Sequence, residues 1–371
     1  MPVFPRDADE LPEPHRVIRV TRSDDPVSVL TDTEAWEARD AYPDIVGRGP
    51  LFAVTEQEPD GRWRVLLIDE AAPQGCRDAL ASVCRRRAAA AREAGDEAGY
   101  RAWMGGAHTM ESEKTDDLTV RDCRFRIARG DMFARLGPDG PEPPRPSDPD
   151  PLPIGGSGRS RPRSEGFLID PTAATGVSEG LLRVDLLRFV YPRRGVPADV
   201  YADSVRARRT HPGGVLLPTG FTVSERRNGR WSPETIICHD TPQESRDQLA
   251  DFFEMLLPAE LRPRLPGHRP APELPQQVID HIARQRRLLE PGEPTLTRRQ
   301  LRDCADALVR LRSARLDTIE ALGRCYRVTR IERLVRLGPD GPEPPRPSDW
   351  DPEDPVNVQA ARDRANGIVD E

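Results

Sequence analysis

The chain has 371 residues, enough for two domains of ordinary size that each bury a core. A formal charge of -7, from 55 basic and 62 acidic residues, argues against general binding to nucleic acid or acidic membrane, because attraction to phosphates needs a basic surface. No stretch approaches the roughly 18 apolar residues of a membrane span, and the six cysteines (76, 84, 123, 238, 304, 325) form no CxxC pair, so a cytoplasmic protein with buried, reduced thiols is expected.

Residues 1–15 lack the basic start and apolar core of a secretory signal and read as a flexible amino terminus. A first strand is expected at VIRV (17–20), followed by a short helix. FAVTEQEPDGRW (52–63) then reads as the start of a β-hairpin, with Phe52, Val54, Trp63, Val65 and Leu67 alternating as one buried face. Pro73 suits the first turn of the next helix, whose stripe of Leu80, Val83, Cys84 and Ala91 points inward. A second hairpin places Phe125 and Ile127 inside and Arg124 and Arg126 outside, and the proline-rich RLGPDGPEPPRPSD (135–148) closes the segment.

The same order returns further along the chain. FTVSERRNGRW (221–231) repeats the first hairpin, with Asn228-Gly229 as its turn, and Phe52 with Phe221 and Pro73 with Pro242 share an offset of 169 residues. LLRF (186–189) aligns with VIRV, and Phe253 with Cys84. Downstream the offset is 201, aligning Phe125 with Tyr326 and Arg135 with Arg336, and RLGPDGPEPPRPSD recurs unchanged at 336–349. The chain therefore reads as an α+β protein of two tandem homologous units, 16–148 and 167–349, each a mainly antiparallel sheet with packed helices, paired about a pseudo-twofold axis. A Pro/Gly/Ser linker (149–166) joins them, a helical insertion occupies about 259–316 of the second, and an acidic tail (350–371) follows. The duplicated proline-rich stretch is expected to be a stiff strap laid along its own domain, although Arg135, Pro138 and Pro141 also match a polyproline-helix ligand.

No phosphate loop, nucleophile elbow or zinc spacing is present, and neither cofactor nor metal is expected. Two clusters remain. Cys238-His239-Asp240 has the residue types of a cysteine nucleophile with its base, but neighbours on a strand face opposite ways, so a buried Cys238 and a helix-capping Asp240 are expected. Arg124, Arg126, Arg129, Arg327, Arg330 and Arg333 recur along the closing hairpins and could bind an anionic ligand; a solvated outer face is the plainer alternative.

The runs YRVTRIERLVRLGPDGPEPPRPSDWDP and FAVTEQEPDGRW resemble an uncharacterised family of Streptomyces and related actinobacteria, which implies a lineage and no mechanism. The expected function is that of a non-enzymatic cytoplasmic interaction or adaptor protein, chaperone-like or immunity-like, binding a protein partner at the junction of the repeats or through the insertion. The alternatives are an enzyme or small-molecule binder with an anionic-ligand cleft, and a nucleic-acid-associated regulator.

Overall fold

Proline in the first helical turn, where no N–H is needed, opens three helices: α1 (Pro26–Ala41), α2 (Pro73–Glu93) and α6 (Pro242–Leu256). Side-chain caps add to two of them. Asp25 accepts from the Ser28 N–H at 3.0 Å, and Thr241 forms a reciprocal capping box with Glu244. At Asn228-Gly229 both residues take positive φ (51° and 77°), which turns β8 (Gly220–Arg227) back onto β9 (Arg230–Pro233) as expected.

The computed structural model describes residues 14–157, 163–233, 238–257 and 296–366. It is a mixed α+β fold in which helices pack on antiparallel strands, and the chain divides into two units.

The first unit comprises Met1–Glu142, Pro162–Gly220 and Ile331–Glu371. Its sheet runs β6 (Leu168–Ile169), β2 (Trp63–Glu70), β1 (Asp44–Gln57), β4 (Cys123–Gly137), then residues 331–338 of β11 (Arg324–Gly338). Short β3 (Asp117–Val120) and β5 (Gly140–Pro141) pair with β4, and β7 (Gly213–Leu216) and β12 (Gly341–Pro342) pair with β11. Helices α2 and α3 (Glu97–Ser112) cover one core of Phe52, Val54, Leu80, Cys84, Trp103, Met110, Phe125 and Ile127. α4 (Val177–Leu187) lies over a second, with Phe133, Leu186 and Leu334, and α5 (Ala198–Thr210) leads into β7.

The second unit comprises Pro143–Arg161 and Phe221–Arg330. There β10 (Thr318–Ala321) pairs with the start of β11 at Ile319↔Tyr326. Helices α6 and α7 (Arg298–Ser313) enclose Val223, Leu249, Phe253, Cys304, Leu308, Leu311, Ile319 and Tyr326.

Several expectations are corrected. Residues 17–19 are not a strand and Val20 makes only a single bridge to Thr175, while Leu186 and Leu187 end helix α4. The alternating face splits: Phe52 and Val54 enter the helix-covered core, whereas Trp63 and Val65 pack with Ile169, Val215 and Leu337. The hairpin register causes this: Gln57↔Trp63 and Thr55↔Val65 place Trp63 and Val65 on the face of Thr55, opposite that of Val54, and the shift beyond Thr55 then returns Leu67 to the side of Val54. Of the expected insertion at 259–316, residues 259–295 lie outside the described residues, and α7 is a core helix. Residues 150–157, expected to be free linker, are tied to α6: the Gly155 N–H and the Ser157 N–H and hydroxyl all donate to Asp247. The expected acidic tail holds helix α8 (Val356–Ala365), and residues 1–13 lie outside the described residues.

Candidate functional site: arginine strands, straps and a tryptophan pocket

Strands β4 and β11 carry the arginines that their spacing singled out, and the fold brings carboxylates to them from far along the chain. Arg129, 2% exposed, donates from Nε to both Asp349 oxygens (3.0 and 2.9 Å) and from Nη1 to Asp131 (2.7 Å). Burial disfavours its charge, but Asp131 and Asp349 more than compensate and hold its pKa above the ordinary arginine value. Arg126 donates to Asp117, to Asp340 (2.6 Å) and to the Pro342 carbonyl. Arg124 forms a two-pronged contact with Asp340 at 2.9 Å on each arm. These hydrogen bonds hold the Asp340 carboxyl well below its usual range. Both guanidiniums also stack over the Trp63 ring, 5.4 Å from its centroid.

On β11, Arg327 stacks over Trp231 at 5.0 Å and Arg330 meets Asp148 at 3.2 Å. Arg333, fully buried, donates to the Pro218 carbonyl and to Ser164. Arg336 reaches the carbonyls of Leu186, Leu187 and Phe189 at the carboxyl end of α4, where a cation suits the helix dipole. Burial dominates there and lowers its pKa.

Both copies of RLGPDGPEPPRPSD lie at these arginines. In the first unit the strap from the far half of the chain crosses β4. The Arg129 N–H donates to the Glu343 carbonyl (2.7 Å), Arg346 pairs with Glu343 and Asp131, and Asp349 meets Arg129. Beyond it, Asp351 accepts from Arg77 on α2 (2.7 Å), which also holds Asp116. In the second unit the earlier strap does the same: Asp148 meets Arg330, and Asp150 accepts from Arg246 on α6, which also holds Asp317. Each strap was expected along its own domain. Each instead ends on arginines of the other half, because the carboxylates of its PSD-x-D ending match forked guanidiniums there.

The two straps differ at the next position, Pro149 in one and Trp350 in the other. Asp349 and Asp351 anchor the backbone on either side of Trp350, and the indole between them is 69% exposed. Further apolar side chains, Val29, Leu30 and Trp36, are exposed on α1.

A pocket of about 230 Å³ lies at the Pro339-Asp340-Gly341 turn, lined by His15, Gln57, Trp63, Ile169 and Leu337. Gly341 is needed there: its φ is +108°, and a Cβ would stand 2.5 Å from the Trp63 indole nitrogen.

Cys238 is buried, and His239 pairs through its backbone with Phe221 at 2.7 Å in both directions. The cap of α6 is Thr241 rather than Asp240. Among the described residues no helix is long and apolar enough to cross a membrane, and no His, Cys, Asp and Glu cluster has the form of a metal site. Sequence spacing found the arginines but missed Asp131, Asp349, Asp351 and Trp350. The unchanged repeat of PSD, followed by one divergent residue and another aspartate, was the signal for Asp349, Trp350 and Asp351; Asp131 had none.

A family model described as a family of unknown function (DUF5954) matches residues 25–352 of the chain. No curated protein and no solved structure matches it.

Proposed function

Since the chain belongs to this family of unknown function, DUF5954, we propose its role from its own geometry: a non-enzymatic interaction protein of the cytoplasm that presents Trp350 to a protein partner. Trp350 carries this proposal. A large apolar ring left in water forgoes the gain of burial, and here Asp349 and Asp351 fix the backbone so that the ring stays outside. Rigid aromatic anchors of this kind are enriched among the residues that dominate interface energies. The arginines are a less suitable surface, since internal carboxylates and carbonyls engage them.

The tandem repeat belongs to the same proposal, together with the actinobacterial lineage that the GPDGPEPPRPSD signature suggests. In support, β4 and β11 pair at Asp131↔Leu334, Met132↔Arg333 and Phe133↔Glu332. Under the 201-residue alignment Met132 is the counterpart of Arg333, so each strand meets its own equivalent, as in an isologous homodimer interface. The two halves of the sequence would then descend from one duplicated unit, with Trp350 present in only one copy of the strap.

The test is a native pull-down with cross-linking mass spectrometry on the full chain. A stoichiometric partner cross-linked near Trp350 is expected, and Trp350→Ala should weaken it at least ten-fold with an unchanged melting temperature. Full retention by Trp350→Ala would refute the role of this anchor. A second role, small-ligand binding, draws on the pocket beside Trp63. Asp340 at its edge is already paired with Arg124 and Arg126, so its charge is compensated and a neutral ligand suits the pocket; saturable quenching of tryptophan fluorescence that is lost in Gln57→Ala would support it.

A further inference from the structure

The two strap sites have the same chemistry built twice. In the first unit a guanidinium on a strand, Arg129, takes the aspartate of PSD, and a guanidinium on a helix, Arg77, takes the aspartate two residues later. In the second unit Arg330 and Arg246 take Asp148 and Asp150 in the same way. A fixed second carboxylate braces each helix arginine, Asp116 for Arg77 and Asp317 for Arg246. Arg77 and Arg246 are both buried, and their counterpart carboxylates come from 274 and 96 residues away. The fourteen strap residues are identical and an aspartate stands two places beyond each, so both straps offer these cradles the same pair of carboxylates at the same spacing.

We propose that the paired arginines are receptors for any RPSD-x-D segment, and that two copies of this protein exchange straps to form a closed dimer. The occupant is a second copy of this chain, because its straps carry the same residues and make the same contacts. Exchange forms no new kind of contact and loses none. It opposes only the high effective concentration of the tethered strap, typically around millimolar for a short connection. The strap ending in Asp351 is the better placed to leave, since the only described element after it is α8, in which no residue is buried. The proposal is independent of the partner proposed for Trp350, and Trp350→Ala must leave exchange unchanged.

Full-length protein in isotopically heavy and light forms is mixed at several hundred micromolar in urea below the unfolding midpoint, returned to buffer, and weighed by native mass spectrometry. Mixed heavy–light dimers are expected, reduced at least ten-fold by an excess of a synthetic peptide spanning residues 337–352. The same peptide with Asp349→Asn and Asp351→Asn should leave them unchanged, so the outcome does not depend on a variant chain folding. Absence of mixed dimers overturns the proposal, as does a yield insensitive to the wild-type peptide.

Discussion

At the residue scale, the arginines decide between a surface role and an internal one. A buried ion pair that loses one member leaves a charge without its counter-charge, which typically costs about 3–5 kcal/mol. Arg129 with Asp131 and Asp349 is such a cluster, so Asp349→Asn should lower the unfolding free energy by about 3 kcal/mol in urea titration. Asp340 makes a pH prediction of the opposite exposure. Its carboxyl is held below the unfolded value of about 3.9, so its stabilisation is complete above that pH and disappears as pH falls toward the folded-state pKa. The gap in urea midpoint between wild type and Asp340→Asn should be full at pH 6 and shrink below about pH 4. Five of the six thiols are buried as the sequence suggested, and Cys123 is half-buried. Burial pushes Cys84 and Cys304 up to about 11, so iodoacetamide at pH 8 should label neither in the native protein and both after denaturation. The spacing of the arginines was legible in the sequence, but their partners were not, because Arg129 and Asp349 are 220 residues apart.

At the element scale, local chemistry was a good guide where the chain turns and caps itself. Asn228-Gly229 has a backbone preference that tertiary context has little reason to overrule, and Pro73 and Pro242 each begin a helix. The cap of α6 is testable: Thr241→Ala should cost about 1 kcal/mol, measured by thermal or urea unfolding. Where sequence reading failed, a competing contact had won. The register of the β1–β2 turn set Trp63 and Val65 on the face opposite Phe52 and Val54, and α7 was taken for an insertion because its counterpart α3 contains Gly105-Gly106, which hides a helical pattern. The close fit at Gly106, where a Cβ would strike Val120, is visible only once α3 packs on β3.

At the scale of the whole molecule, the straps make distant sequence segments part of each unit. Asp351→Asn should therefore speed amide exchange around the first turn of α2 and residue 116, and leave α6 unaffected. Asp150→Asn should do the converse, speeding exchange at the start of α6 and near residue 317. Hydrogen exchange read by mass spectrometry distinguishes this from straps laid along their own domains, for which the two patterns would be interchanged.

The sequence by itself determined what depends on nearest neighbours and on period: the α+β class, the hairpin turns, the proline-opened helices, the apolar stripes with their buried thiols, and the fourteen residues that occur twice unchanged. Only the tertiary structure decided which carboxylate meets which arginine, which half each strap serves, and that Trp350 is held outward between two anchored aspartates. Those are choices among many chemically equivalent partners. A guanidinium accepts any well-placed carboxylate, so identity of residue type leaves the pairing open until chain topology brings one particular aspartate within reach.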